Sequence, residues 1–166
     1  MNRGCRYILF ILIIDTFKLD INYQLYIAGH VAAFNAHGLN VLSNLVYAFP
    51  TVIFNEGNAY NPSTGHFTAP VDGIYYLTAQ ICVKPQAYVY FFLEKGSASM
   101  SGAIRSTATL NYTYNDPSCT SASSSVKLTR NEYVWVKMYG QYTKSTIYED
   151  SSLIWNTFTG PLTQEL

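Results

Sequence analysis

The chain has little charge. Of its 166 residues only 12% are Asp, Glu, Lys or Arg, and the ten acidic residues balance the ten basic ones. Without a basic excess there is no broad positive field to hold phosphate backbones or anionic membrane surfaces, which excludes nucleic acid as an expected partner. No apolar run approaches the roughly 20 residues that a membrane-spanning helix needs. There is no Gly-X-Y tract, no heptad segment and no internal repeat, which excludes a collagen stalk, a coiled coil and a solenoid. Any self-association must come from a globular domain. At this length one domain is expected rather than two.

Histidine is scarce. His30, His37 and His66 are the only three, and no pair shows the i, i+4 spacing or accompanying Cys-x-x-Cys group that a zinc site needs. No cofactor is therefore expected. Ser63, His66 and Asp72 lie near one another in sequence, but no nucleophile elbow or comparable oxyanion site surrounds them. They are expected to be turn and hydrogen-bonding residues, and the protein is expected not to be an enzyme.

What the chain has in abundance is aromatic residues, with fifteen Tyr and nine Phe. Chains rich in aromatics and poor in charge bury pleated surfaces against each other, which points to a self-associating β-sandwich. From about Ala28 onward, short apolar runs are punctuated at spacings near ten residues by clusters such as Asn61-Pro62-Ser63-Thr64-Gly65, Val71-Asp72-Gly73 and Asn115-Asp116-Pro117-Ser118. That spacing predicts an all-β fold. Between the turns the alternation is clear. Tyr75, Leu77, Ala79, Ile81 and Val83 share one face, with Tyr76, Thr78, Gln80 and Cys82 opposite. Ala122, Ser124, Val126 and Leu128 share a face, with Cys119 and Ser121 on the other, and Val134, Val136 and Met138 alternate with Tyr133, Trp135 and Lys137. Val89–Leu93 is apolar on both sides and predicts a strand covered on both faces, by a sheet on one side and by another subunit or a long loop on the other.

The head of the chain differs. Arg3 and Arg6 lead into an unbroken apolar run from Tyr7 to Ile14 that Asp15 stops, the order of a secretory signal peptide. Residues 1–20 are assigned that role, with a boundary extending up to 28 because no clean small-x-small site follows; an N-terminal core strand is the other assignment. Asn111-Tyr112-Thr113 is the one triplet able to accept an N-linked glycan, which makes Asn111 the glycosylation candidate.

Reading from Phe49, the residues Asn55, Tyr60, Phe67, Gly73 and Tyr75 follow at fixed spacing, within the run Gly57-Asn58-Ala59-Tyr60-Asn61-Pro62-Ser63-Thr64-Gly65-His66-Phe67-Thr68-Ala69-Pro70-Val71-Asp72-Gly73-Ile74-Tyr75. This resembles the signature of the globular head of complement component C1q. His30-Val31-Ala32-Ala33-Phe34 resembles that family's first strand, Leu128–Val136 its late hairpin and Phe158–Leu162 its closing strand. The resemblance covers about Ala28 to the C-terminus, so residues 29–166 are assigned as a C1q-like globular domain. Leu77 and Ala79 stand where the family usually carries aromatics. The resemblance implies a ten-stranded jelly roll of the C1q and tumour necrosis factor type. It further implies tight homotrimers that bind proteins, carbohydrates or microbial surfaces without catalysis. Calcium occurs in the family, but no acidic loop pair here supports a calcium site.

Three cysteines, Cys5, Cys82 and Cys119, leave an odd thiol unless a signal peptide removes Cys5. In the fold that the resemblance implies, the strands holding Cys82 and Cys119 are antiparallel neighbours, and each cysteine points away from its strand's apolar set. Cys82 and Cys119 are then either disulfide-bonded, as an oxidising compartment permits, or free. Binding residues are less determined. The Ser/Thr-rich stretch Gly96–Thr109 is either a polar ligand surface or a solvated edge strand. Tyr112, Tyr114, Tyr139 and Tyr142 are the surface candidates, since Tyr supplies stiff amphipathic contact area, with packing at a subunit interface as their alternative role. The expected function is that of a secreted, extracellular pattern-recognition module in innate immunity, lectin-like and multivalent; the alternative is a signalling ligand for a cell-surface receptor.

Overall fold

The computed structural model describes residues 30–140, 144–150 and 153–166. The proposed signal peptide and Cys5 lie outside the described residues, as does Tyr142. Residues Val31–Leu166 form one compact unit, built from twelve strand segments: β1 Ala33–His37, β2 Asn40–Val41, β3 Val46–Ala48, β4 Thr51–Glu56, β5 Tyr60–Asn61, β6 His66–Thr68, β7 Gly73–Val83, β8 Tyr88–Gly96, β9 Ile104–Tyr112, β10 Ser118–Leu128, β11 Tyr133–Met138 and β12 Thr157–Glu165. Two of the twelve, β2 and β5, are two-residue strands that pair with β3 and β6 at the outer edges of the second sheet. The other ten make up the jelly roll.

All pairings are antiparallel. One sheet runs β10-β7-β12-β1-β4. In the other, β11 is central: β3 and β6 lie end to end along one of its edges, while β8 pairs with the opposite edge and carries β9 outermost. The longest ladder joins β7 to β10 without a register break, from Gly73 opposite Leu128 to Val83 opposite Ser118.

The alternation in β7 puts Tyr75, Leu77, Ala79, Ile81 and Val83 in the core with no exposure, as the period of two predicts. Between the sheets, the Phe34 ring of β1 stacks on Tyr60 at 4.8 Å and on Phe67 at 5.3 Å, and meets Phe158 of β12 edge-on at 4.8 Å. This aromatic cluster bolts the two sheets together, since offset and edge-on pairs add to plain area burial. At Ala79, where the family carries a larger ring, the cross-strand partners are Ala122 and Phe158; the small side chain leaves the bulk at this level to Phe158. In the turn after β5, Gly65 has φ 72°, and a Cβ there would lie 2.6 Å from the Tyr47 carbonyl oxygen, so only glycine fits.

Val89, Phe91 and Leu93 point into the core, and Tyr90 and Phe92 lie on the other face of β8. There Phe92 is covered by the guanidinium of Arg105, 3.7 Å from its ring centroid, and Tyr90 is half-buried.

Candidate recognition surfaces

The six signature residues form framework, not a site. Asn55 clips the end of β4 to β5: its Oδ1 accepts the Tyr60 N–H at 3.0 Å and its Nδ2 donates to the Tyr60 carbonyl at 2.8 Å. The Tyr60 hydroxyl in turn accepts the Phe49 N–H at 2.8 Å. Burial pushes this phenol up to about 12, against the smaller opposing effect of its backbone bond. Phe49, Phe67 and Tyr75 are core rings, and Tyr75 donates from its hydroxyl to the Val71 carbonyl at 2.8 Å. Gly73 is fixed by crowding, because a Cβ there would sit 2.6 Å from Leu162 Cδ1.

The Ser63, His66 and Asp72 group is not brought together for chemistry. Ser63 donates its N–H to Asn61 Oδ1, Asp72 Oδ1 accepts the Arg130 N–H at 2.6 Å, and the His66 ring packs between Tyr133 and Trp135. Each has its own structural partners.

Cys82 and Cys119 sit directly opposite each other on β7 and β10 and are joined by a disulfide, with their Cα atoms 3.9 Å apart. The Cys82 N–H donates to Asn156 Oδ1 at 2.8 Å, and its carbonyl accepts the Tyr148 N–H at 2.9 Å. Both main-chain groups therefore turn away from β10, which makes this a non-hydrogen-bonded pair, the kind that brings side chains closest. Cys82 is buried and Cys119 exposed.

The outer face of the first sheet is uncharged at its centre. Thr78 lies between Ser123 and Thr159 in the ladder, Gln80 lies between Ser121 and Thr157, and Thr159 is followed by Asn35 on β1. Thr78 and Ser123 bond to each other through their hydroxyls at 3.0 Å. Tyr76 on β7, and Ile53 and Phe54 on the edge strand β4, add exposed apolar area.

The outer face of the second sheet is aromatic. Of the candidate tyrosines, Tyr112, Tyr114 and Tyr139 are 61%, 65% and 58% exposed. Beside them lie two that pattern reasoning passed over. Tyr88 is 51% exposed and pairs with Tyr112, while Tyr90 pairs with Leu110 and packs its ring 4.9 Å from that of Tyr139. Their signal was the Tyr-x-Tyr alternation of Tyr88 and Tyr90, masked because Val89–Leu93 reads as uniformly apolar. The stretch Gly96–Thr109 forms the end of β8, a loop and the start of β9, whose outer edge pairs with no other strand among the described residues. Asn111 faces inward opposite Val89, and its Nδ2, the atom a glycan would need, is buried without a hydrogen-bond partner among the described residues.

No helix among the described residues is long and apolar enough to cross a membrane, and no three His, Cys, Asp or Glu side chains there cluster as metal ligands. The zebrafish complement 1qA globular domain superposes with a TM-score of 0.61 at 16% identity, covering 81% of this chain and 99% of that one. Murine APRIL superposes with a TM-score of 0.62 at 9% identity, covering 80% and 98%. In sequence, a Mytilus edulis protein named heavy metal-binding protein HIP is 36% identical over 63 residues, a stretch spanning 36% of this chain and 30% of that protein. The family model for the C1q domain matches residues 31–163, nearly the whole described unit, and the chain belongs to the C1q domain family.

Proposed function

We propose that the protein is a secreted recognition module that assembles as a homotrimer and binds carbohydrate, microbial-surface or protein ligands multivalently in innate immunity. The coarse part of this reading is the family's own: a non-enzymatic C1q and tumour necrosis factor-like fold used for ligand binding. The observation that carries the finer part is the outer face of the β10-β7-β12-β1-β4 sheet. A flat face with small hydroxyl and amide side chains at its centre costs little to desolvate when its groups find partners, and Ile53, Phe54 and Tyr76 supply apolar area to bury. The number of copies is taken from the family, and three sites on one rigid head turn weak contacts into avidity on a repetitive surface. Secretion is supported by the basic-then-apolar head of residues 1–20, with its boundary up to 28, and by the disulfide, which persists in oxidising compartments.

Light scattering on the purified chain, followed by an array of glycans and microbial polymers, tests the proposal. A mass of three chains and binding that weakens sharply when the trimer is dissociated are expected. A stable monomer removes both the trimer and the avidity. Saturable binding to a single protein receptor, without glycan binding, favours a signalling ligand instead.

A further inference from the structure

We propose that the tyrosine-lined outer face of β8, β9 and β11 is a binding site for neutral saccharide chains, a proposal that rests on the recognition reading above and gives it a place and a ligand class. The face is built in rows across the sheet. Tyr88 and Tyr112 form one row, and Tyr90 stands beside Leu110 in the next. Tyr139 joins the second row from just past the end of β11, its N–H donating to the Tyr90 carbonyl at 2.9 Å and its ring packed on that of Tyr90. Tyr88, Leu110, Tyr112 and Tyr139 are each more than half exposed, so this is a contiguous apolar patch and not scattered surface residues. The rings are held by regular strands, with the rigidity that a contact surface needs.

The charge around this face selects the occupant. The neighbouring cations are engaged: the Arg105 guanidinium covers Phe92 and lies 3.9 Å from Glu94, and Lys137 Nζ donates to the Asn44 carbonyl at 2.6 Å. The five patch residues carry no charge at neutral pH, so an anionic polymer finds no opposite charge among them. The phenols supply ring faces for C–H contacts, and hydroxyls that both donate and accept. That combination, flat apolar faces edged with uncharged hydrogen-bonding groups, is the complement of a pyranose ring, which presents C–H faces edged by hydroxyls. A sheet surface of this kind suits a polymer bound along its length over a single buried anchor.

The test uses the full chain and laminarin, an uncharged β-glucan, with heparin as the anionic comparison, measured by calorimetry at 50 and 500 mM NaCl. Binding to laminarin that changes less than twofold with salt, and that weakens at least tenfold in Tyr88→Ser/Tyr139→Ser, is expected; both side chains are largely exposed, and an unchanged melting temperature and particle mass confirm that the double variant folds and assembles. Val31→Ser, exposed just before β1 and away from this face, serves as the control and leaves binding intact. A preference for heparin with steep salt dependence overturns the proposal. So does saccharide binding that the double variant leaves unchanged, although that outcome keeps the recognition reading. Binding of a protein ligand, but no saccharide, through these tyrosines also overturns it. A monomeric particle that still binds laminarin through them refutes the trimer while leaving this site standing.

Discussion

Asn156 holds the end of strand β7 at the residue that carries the disulfide: its Oδ1 accepts the Cys82 N–H at 2.8 Å, while its Nδ2 donates to the Tyr148 carbonyl at 2.8 Å and to Glu149 Oε2 at 2.5 Å. Asn156 is the buried polar side chain of the described core, and it ties the connection between β11 and β12 to the sandwich. Replacing it with Ala leaves the buried Cys82 N–H unpaired, at a cost of about 1–3 kcal/mol. Asn156→Ala is expected to lower the melting temperature by roughly 5–15 °C, with faster amide exchange at Cys82 and Tyr148 than at the centre of β7. An unchanged melt and exchange pattern would refute this role.

The disulfide next to it restrains the unfolded chain. Cys82 and Cys119 are separated by 37 residues, and loop-closure entropy for a ring of that size gives about 4 kcal/mol as an upper figure. Cys82→Ala/Cys119→Ser is expected to lose most of that in urea unfolding at unchanged fold. Because Cys119 is exposed, dithiothreitol added to the native protein should produce the same loss without prior denaturation. Calorimetry with and without reductant checks both, and equal transitions would show that the bond contributes nothing.

Much of this fold is written in local alternation. Tyr75 to Val83 could be assigned to the core because a strand that buries one face must place apolar residues at every second position. The two cysteines could be placed on the opposite face for the same reason. Tyr88 and Tyr90 could not, since Tyr is apolar enough to blend into the Val89–Leu93 run; only the register with β9 and β11 separates the outward rings from the inward aliphatics. Asn156 was invisible for a different reason. A buried amide is defined by the donors and acceptors around it, and its partners Cys82, Tyr148 and Glu149 come from two distant parts of the chain. Asn111 illustrates the converse, a sequence triplet whose acceptor nitrogen the fold turns inward.

The proposed trimer predicts a sharp response to charge on the outer face of the first sheet. Ser123 is exposed on β10, and its hydroxyl accepts from Thr78 at 3.0 Å. Ser123→Lys costs the lone chain little, because surface substitutions usually stay within about 0.5 kcal/mol. In a trimer the same change buries three unpaired ammonium groups. The expected result is a particle of one chain with a near-normal circular dichroism spectrum, and Ser123→Thr should retain the parent mass. A trimer that persists in Ser123→Lys would place the subunit contact elsewhere.

His66 gives the pH dependence a sign. Burial of its ring between Tyr133 and Trp135 lowers its pKa from the ordinary value of 6.5, and Nε2 is enclosed without a hydrogen-bond partner among the described residues. The folded state thus prefers the neutral imidazole, while the unfolded chain takes up a proton near pH 6.5. Below that pH the unfolded state binds more protons, so this contribution to stability is complete above about pH 6.5 and declines as pH falls toward the lowered folded value. His66→Phe keeps an aromatic ring between Tyr133 and Trp135 and removes the titration. Urea unfolding at pH 7.5 and 5.5 should show the parent protein losing more stability on acidification than His66→Phe does, with the difference between them isolating His66 from the other titrating groups. A parent and variant with parallel pH profiles would mean that the imidazole is protonated as easily in the folded protein as in the unfolded chain.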